Sequence, residues 1–136
     1  MRINNSNRMK KNYCFTLIVL FLGFGHMMFF SNCKKDPELP VVITSLVSQV
    51  TDSSAVSGGL VKSDGGTKVI ERGVIWSAYE LLTFGWNSQT SDGEGTGTYT
   101  SELSDLDPAT EYYYQAYATN SVGTAFGEKL VLTTLP

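Results

Sequence analysis

Between residues 106 and 123 the chain reads Leu106-Asp107-Pro108-Ala109-Thr110-Glu111-Tyr112, then sets Tyr114, Ala116 and Ala118 at alternate positions and closes on Asn120 and Gly123. Few backbones accommodate that pattern. Pro108 fixes its own φ and stiffens a bend. Residues two apart share one face of a strand. Tyr112, Tyr114, Ala116 and Ala118 therefore form an inward set, with Tyr113 and Tyr117 on the opposite face. Gly123 suits a tight turn into a following strand. The segment specifies a bend, a half-apolar strand and a return, which is the grammar of an antiparallel sheet.

The chain from Val41 onward continues in that grammar. Nowhere does a 3.6-residue apolar period persist, while short β-rich runs recur between turn residues. Extended segments are predicted at 41–50, 54–62, 68–77, 98–103, 111–120 and 128–134. Ser63-Asp64-Gly65-Gly66 is a turn, Ser91–Gly97 a flexible loop, and Leu81–Trp86 an apolar stretch of ambiguous type. Six or seven strands in roughly 95 residues is the density of an immunoglobulin-like sandwich, so the predicted class is an all-β antiparallel β-sandwich.

The N-terminus has a different character. Residues 1–12 are polar and basic, and Tyr13–Phe30 is almost unbroken apolar sequence. A positive segment before an apolar one is the secretory pattern and is set aside from the fold. The junction Phe30-Ser31-Asn32-Cys33, followed by Lys34-Lys35-Asp36, resembles the lipobox of bacterial lipoproteins, and its continuation resembles lipoproteins of the Bacteroidetes. In the usual pattern Leu and a small residue stand where this chain has Phe30 and Asn32. The resemblance implies a signal peptide over 1–32, a lipidated Cys33 as first mature residue, a linker to residue 40, and a domain over 41–136. Acyl chains on Cys33 would hold the protein on the bacterial outer membrane. A retained apolar anchor and cleavage without lipidation are the alternatives. The charged stretch Lys34–Glu38 resembles a surface-export signal, which implies display on the cell surface.

Composition narrows the chemistry. The chain has ten Lys and Arg, thirteen Asp and Glu, and one His. From Cys33 onward six basic residues face thirteen acidic ones, a net charge of −7. Such a domain repels phosphate backbones, so no nucleic-acid partner is expected. Cys14 and His26, the second cysteine and the sole histidine, both fall in the segment expected to be removed. The mature chain then lacks histidine and a free thiol, which excludes Ser-His-Asp triads, Cys-His dyads and ordinary zinc sites. Nothing in the sequence gathers paired carboxylates into a pocket. The protein is expected not to be an enzyme, and no cofactor or metal is expected. Asp92 and Glu94 depart from a calcium-loop spacing and read as a solvated acidic loop.

The segment from Leu106 to Gly123 closely resembles the fibronectin type III signature, and the likeness extends over roughly 41–134. Glu71-Arg72-Gly73-Val74-Ile75-Trp76-Ser77 and Ala116–Gly127 resemble a repeat of Bacteroidetes surface proteins. On that resemblance Tyr112 is the tyrosine of a "tyrosine corner", with Pro108 stiffening the bend, and Trp76 supplies core bulk that relatives carry one strand earlier. The facing of 54–62 stays open: apolarity favours Val56 and Leu60 inward, the resemblance Ala55, Gly59 and Val61. One register step separates the two. Functionally, the resemblance implies a surface interaction or spacer module with a protein or glycan partner. Tyr79, Phe84 and Trp86 are candidate ligand-binding residues, forming an exposed aromatic platform for a sugar or peptide; the alternative is an edge strand packed on the sandwich. Tyr113 and Tyr117 either line a binding face with Tyr79 or lie covered by neighbouring side chains.

Overall fold

The computed structural model describes residues 35–136; the expected signal peptide and Cys33 lie outside the described residues. Residues 36–136 form one compact unit. It is all-β, with eight strands: β1 (Val41–Thr44), β2 (Ala55–Ser63), β3 (Glu71–Ser77), β4 (Ser88–Gln89), β5 (Gly97–Leu103), β6 (Glu111–Thr119), β7 (Thr124–Phe126) and β8 (Leu130–Thr133). One sheet has the order β1-β2-β5, the other β4-β3-β6-β7, with β8 also paired to β6. Every pairing is antiparallel.

The core lies between the sheets. The alternation read in β6 holds: Tyr112, Tyr114, Ala116 and Ala118 are buried there beside Trp76, Leu103, Leu106 and Leu132. Trp76 does supply the bulk. In β2 the inward set is Ala55, Ser57, Gly59 and Val61, while Val56 and Leu60 are only half-buried. The apolarity reading of this strand fails because Gly59 is a space-maker. A Cβ there would stand 2.7 Å from the Tyr99 hydroxyl and 2.8 Å from the Ala116 Cβ. Tyr99 fills that space and reaches the opposite sheet, its hydroxyl 2.8 Å from the Gly73 carbonyl and 3.2 Å from that of Tyr117.

The strand predicted over 41–50 stops at Thr44. The strand predicted over 128–134 is present as β8, a further strand, β7, precedes it, and one contact accounts for both the stop and the gap between β7 and β8. Thr44 turns its hydroxyl into the gap, donating to the Glu128 carbonyl at 2.6 Å and accepting from the Ala116 N–H at 3.1 Å. Its side chain replaces ladder bonds that Glu128 would have made with β6. Gly127 permits the approach, since a Cβ would lie 2.7 Å from the Thr44 nitrogen. Beyond Thr44, side chains take the backbone groups. Ser57 donates to the Ser45 carbonyl at 3.0 Å, and the Val47 N–H donates to the Tyr114 hydroxyl at 3.2 Å. The chain rejoins β2 in a bridge at Ser48 and Val56.

The segment Ser91–Gly97, expected to be a flexible loop, is tied down. Arg72 donates to the carbonyls of Asp92, Gly95 and Thr96 while its guanidinium sits 5.1 Å above the Tyr99 ring. The Asp92 carboxylate accepts from the hydroxyls of Thr90 and Ser101, and Glu94 pairs with Lys68.

The tyrosine corner is present. The Asp107 N–H donates to the Tyr112 hydroxyl at 2.9 Å while the ring lies in the core. Pro108 sits exposed on the bend, its carbonyl accepting from the Thr110 hydroxyl at 2.8 Å. One end of the sandwich thus carries the chain entry at Glu38–Val41 and the turns at 63–70 and 120–123. The other carries 45–54, 104–110 and 134–135.

Tyr112→Phe removes the acceptor of a partly buried N–H and is expected to lower stability by about 1–3 kcal/mol. Tyr113→Phe removes a hydroxyl that meets only exposed Glu111 and is expected to cost under about 0.5 kcal/mol. Denaturant unfolding of both variants measures the contrast; equal losses would overturn the corner assignment.

Candidate functional site

The outer face of the β3-β6 sheet is left to solvent only in part. Register places Ile75, Gln115 and Gln89 in one row and Gly73, Tyr117 and Phe126 in the next. Tyr117 and Ile75 are fully buried although they point away from the core. Over Tyr117 the cover comes from the segment 78–87, which contains the apolar stretch Leu81–Trp86. It is neither strand nor helix but a loop that folds back over its own sheet.

The loop is pinned at two points. Phe84 sets its ring edge-on against Tyr117, with centroids 4.8 Å apart, and against Phe126 at 6.1 Å. Such edge-to-face pairs add attraction beyond area burial. A tight turn presents Phe84: Trp86 and Asn87 donate their N–H groups to the Thr83 carbonyl, and Gly85 donates to the Gln89 side chain at 3.1 Å. At the second point Lys129 donates to the Glu80 carbonyl at 3.1 Å, lies 3.5 Å from the Glu80 carboxylate, and stands 5.6 Å over the Tyr113 ring. An open hollow of about 300 Å³ lies among Glu80, Leu81 and Lys129.

This arrangement separates the three predicted ligand-binding residues. Phe84 is half-buried and serves as the loop's anchor. Tyr79 and Trp86 are held out in solvent, 79% and 88% exposed, and Leu81 joins them at 80%. A single platform of Tyr79, Phe84 and Trp86 is therefore not what the loop presents. Its exposed apolar groups are Tyr79, Leu81 and Trp86. Leu81 was missed because an apolar residue beside Leu82 and Phe84 reads as core, and no local pattern tells which of them turns outward.

Tyr113 and Tyr117 part company. Tyr117 is covered, its hydroxyl 2.6 Å from the Thr90 carbonyl and 3.2 Å from the Glu71 carboxylate. Burial, with Glu71 adding to it, pushes its pKa well above the usual phenol value, so it remains a neutral donor. Tyr113 stays half-exposed and bonds Glu111 at 3.1 Å, which raises its pKa. No group of three or more His, Cys, Asp or Glu side chains able to hold a metal is found among the described residues.

No family model matches the chain, and no curated protein matches it. Solved structures do. The sixth fibronectin type III domain of human fibronectin type III domain containing protein 3 is 26% identical, with a TM-score of 0.55, covering 75% of this chain and 92% of that one. A fibronectin type III domain of human collagen XX is 22% identical, with a TM-score of 0.51 over 72% of this chain and 94% of that one. The sensor domain of the anti-sigma factor RsgI4 in Pseudobacteroides cellulosolvens is 17% identical, with a TM-score of 0.52 over 71% and 94%. These are likenesses of fold. The chain has a fibronectin type III-like β-sandwich, and such a domain fits a module for interaction or spacing.

Phe84→Ala is expected to cost about 2–3 kcal/mol, somewhat below the range for a fully buried Phe, because it uncovers Tyr117. Trp86→Ala should change stability by less than about 0.5 kcal/mol. Thermal unfolding of the two variants distinguishes anchor from exposed group; the reverse order would overturn these roles.

Proposed function

We propose that the protein is a non-catalytic, lipid-anchored component of the bacterial cell envelope. It presents its fibronectin type III-like domain at the outer-membrane surface as an interaction or spacer module. The observation that carries this reading is the junction at Cys33. A basic, then apolar, leader ends in a cysteine followed by Lys34-Lys35-Asp36, and an independently cored sandwich begins directly afterwards. The chain from Cys33 onward holds no histidine and no second cysteine. Its loop carboxylates Asp92 and Glu94 are engaged in holding the fold. Both facts support a binding or spacing role over a catalytic one.

A second reading has a specific observation behind it. Trp86 is 88% exposed on a loop anchored through Phe84, with Tyr79 also outward. A rigidly mounted indole is the kind of surface on which a sugar ring stacks, so the partner in this reading is a glycan.

The anchor is tested by metabolic labelling with a fatty acid. Wild type is expected to take up label and sediment with membranes, Cys33→Ser to lose both, and Cys14→Ser to behave as wild type. Label retained in Cys33→Ser would sink the proposal. In the same cells, external protease is expected to release the domain through the linker ahead of Glu38; full protection until lysis would place it in the periplasm.

The glycan reading is tested by fluorescence. Trp76 is buried and Trp86 exposed, so a quencher in water reports on Trp86. Titration with envelope polysaccharide is expected to shield it, and Trp86→Phe to abolish the signal. Unchanged quenching at saturating polysaccharide would remove the glycan from consideration.

A further inference from the structure

The chain entry into the domain is rigid from Glu38 onward. The Glu38 N–H donates to the Gly65 carbonyl at 2.8 Å, and its carbonyl accepts from the Asn120 side-chain amide at 2.7 Å. Asn120 is buried and is itself fully used. It also donates to the Asp64 carbonyl at 2.8 Å, and its oxygen accepts the N–H groups of Val122 at 2.9 Å and Gly123 at 3.2 Å. One amide thereby binds the chain entry, the β2–β3 turn and the β6–β7 turn into a single tip. Pro40 is buried just behind it. The expected linker over 33–40 is therefore shorter than its sequence suggests, because its last three residues belong to the domain.

Five residue steps separate Cys33 from Glu38. Fully extended they reach about 18 Å. The polar layer of one leaflet is roughly 5–8 Å deep. A cysteine carrying acyl chains lies at that layer, so the Asn120 tip cannot stand more than about 18 Å from it. Resting on this anchored reading, we infer that the Asn120 tip is a membrane-contact surface, seated on the lipid headgroups. Three apolar side chains stand out there, among the exposed polar groups of Glu38, Lys68 and Ser121: Leu39 and Val122 are about half exposed, and Ile70 slightly more. Leu39 lies against Gly123, its Cδ2 3.2 Å from the place of a Cβ there, so it borders the turn that carries Val122.

Charge is balanced at this end. Lys68 is paired with Glu94, Lys62 is followed by Asp64 in the adjoining turn, and Lys34 and Lys35 are offset in sequence by Asp36 and Glu38. Tethering supplies what the patch lacks. A short linker turns membrane contact into an intramolecular event at an effective concentration of about millimolar or more, so a weak apolar patch suffices. The opposite end then stands away from the membrane by roughly 30 Å, the rise of a nine-residue strand such as β2. The loops at 45–54 and 104–110 become the outermost parts of the described domain.

The test uses the full acylated protein in phosphatidylethanolamine vesicles containing a lipid with a headgroup-level nitroxide quencher. Acylated Cys33 leaves no free thiol, so an environment-sensitive fluorophore can be placed by Val122→Cys at the tip or Ser104→Cys at the far end. The Val122 probe is expected to be quenched several-fold more than the Ser104 probe, and to remain so at about 1 M salt, where screening is nearly complete. Ile70→Cys supplies a second tip reporter if the first variant is unstable. Equal, weak quenching at both ends would overturn the inference. Mass spectrometry of the N-terminal peptide separates the two failures. An unacylated Cys33 defeats the anchored reading itself, whereas an acylated Cys33 with a tip probe in water defeats only the membrane contact.

Discussion

The phenol of Tyr99 crosses from one sheet to the other and ends against the carbonyls of Gly73 and Tyr117. A hydroxyl placed in a core costs free energy unless it is bonded, so this crossing sets the lateral offset of the two layers. Burial holds the phenol protonated, with the nearby Asp92 charge adding to the effect. The crossing needs a corridor, which Gly59 and Ala116 leave by having little or no side chain. With the offset set, Arg72 falls over the Tyr99 ring and can collect three carbonyls of the 91–97 segment. A loop of glycine and acidic residues becomes part of the framework as a result.

The strand opposite Tyr99, β6, is covered on both faces at Tyr117. Inside, Tyr112 to Ala118 meet the core. Outside, Tyr117 is capped by Phe84. An antiparallel sheet often leaves one face wet, and here the 78–87 loop covers part of that face, around Tyr117, while Tyr113 and Phe126 stay partly exposed. The loop is held at Phe84 and Glu80, and its Tyr79, Leu81 and Trp86 are exposed between and beside those points. Loops positioned by a scaffold are where binding groups concentrate. The anchoring of Phe84 and the exposure of Trp86 are two consequences of one turn.

At the tip, Asn120 performs a comparable task with one amide. It joins the chain entry to both sheets, and it makes Glu38 part of the domain. The far end has its own fastening, in which Leu135 donates to the Thr51 carbonyl and its own carbonyl accepts from Ala109. The two ends of the sandwich thus have different chemistry, one built around a buried amide and the other around the Tyr112 corner.

Local pattern carried much of this. Alternation in 111–119, the bend at Pro108 and the glycine and serine turns are properties of neighbouring residues, and they determined the longer strands and the class of fold, while the hydroxyl bond of Tyr112 followed from the resemblance to the fibronectin type III signature. The facing of β2 was not legible, because Gly59 is inward only on account of Tyr99, forty residues away. Nor were the breaks at Thr44 and Gly127, where a side chain from one sheet enters the edge of the other. In the 78–87 loop the sequence by itself marked an aromatic cluster of uncertain role. Only the tertiary structure decided which aromatic turned inward, because Phe84 had to meet Tyr117, and that surface exists only once β6 has paired with β3 and β7.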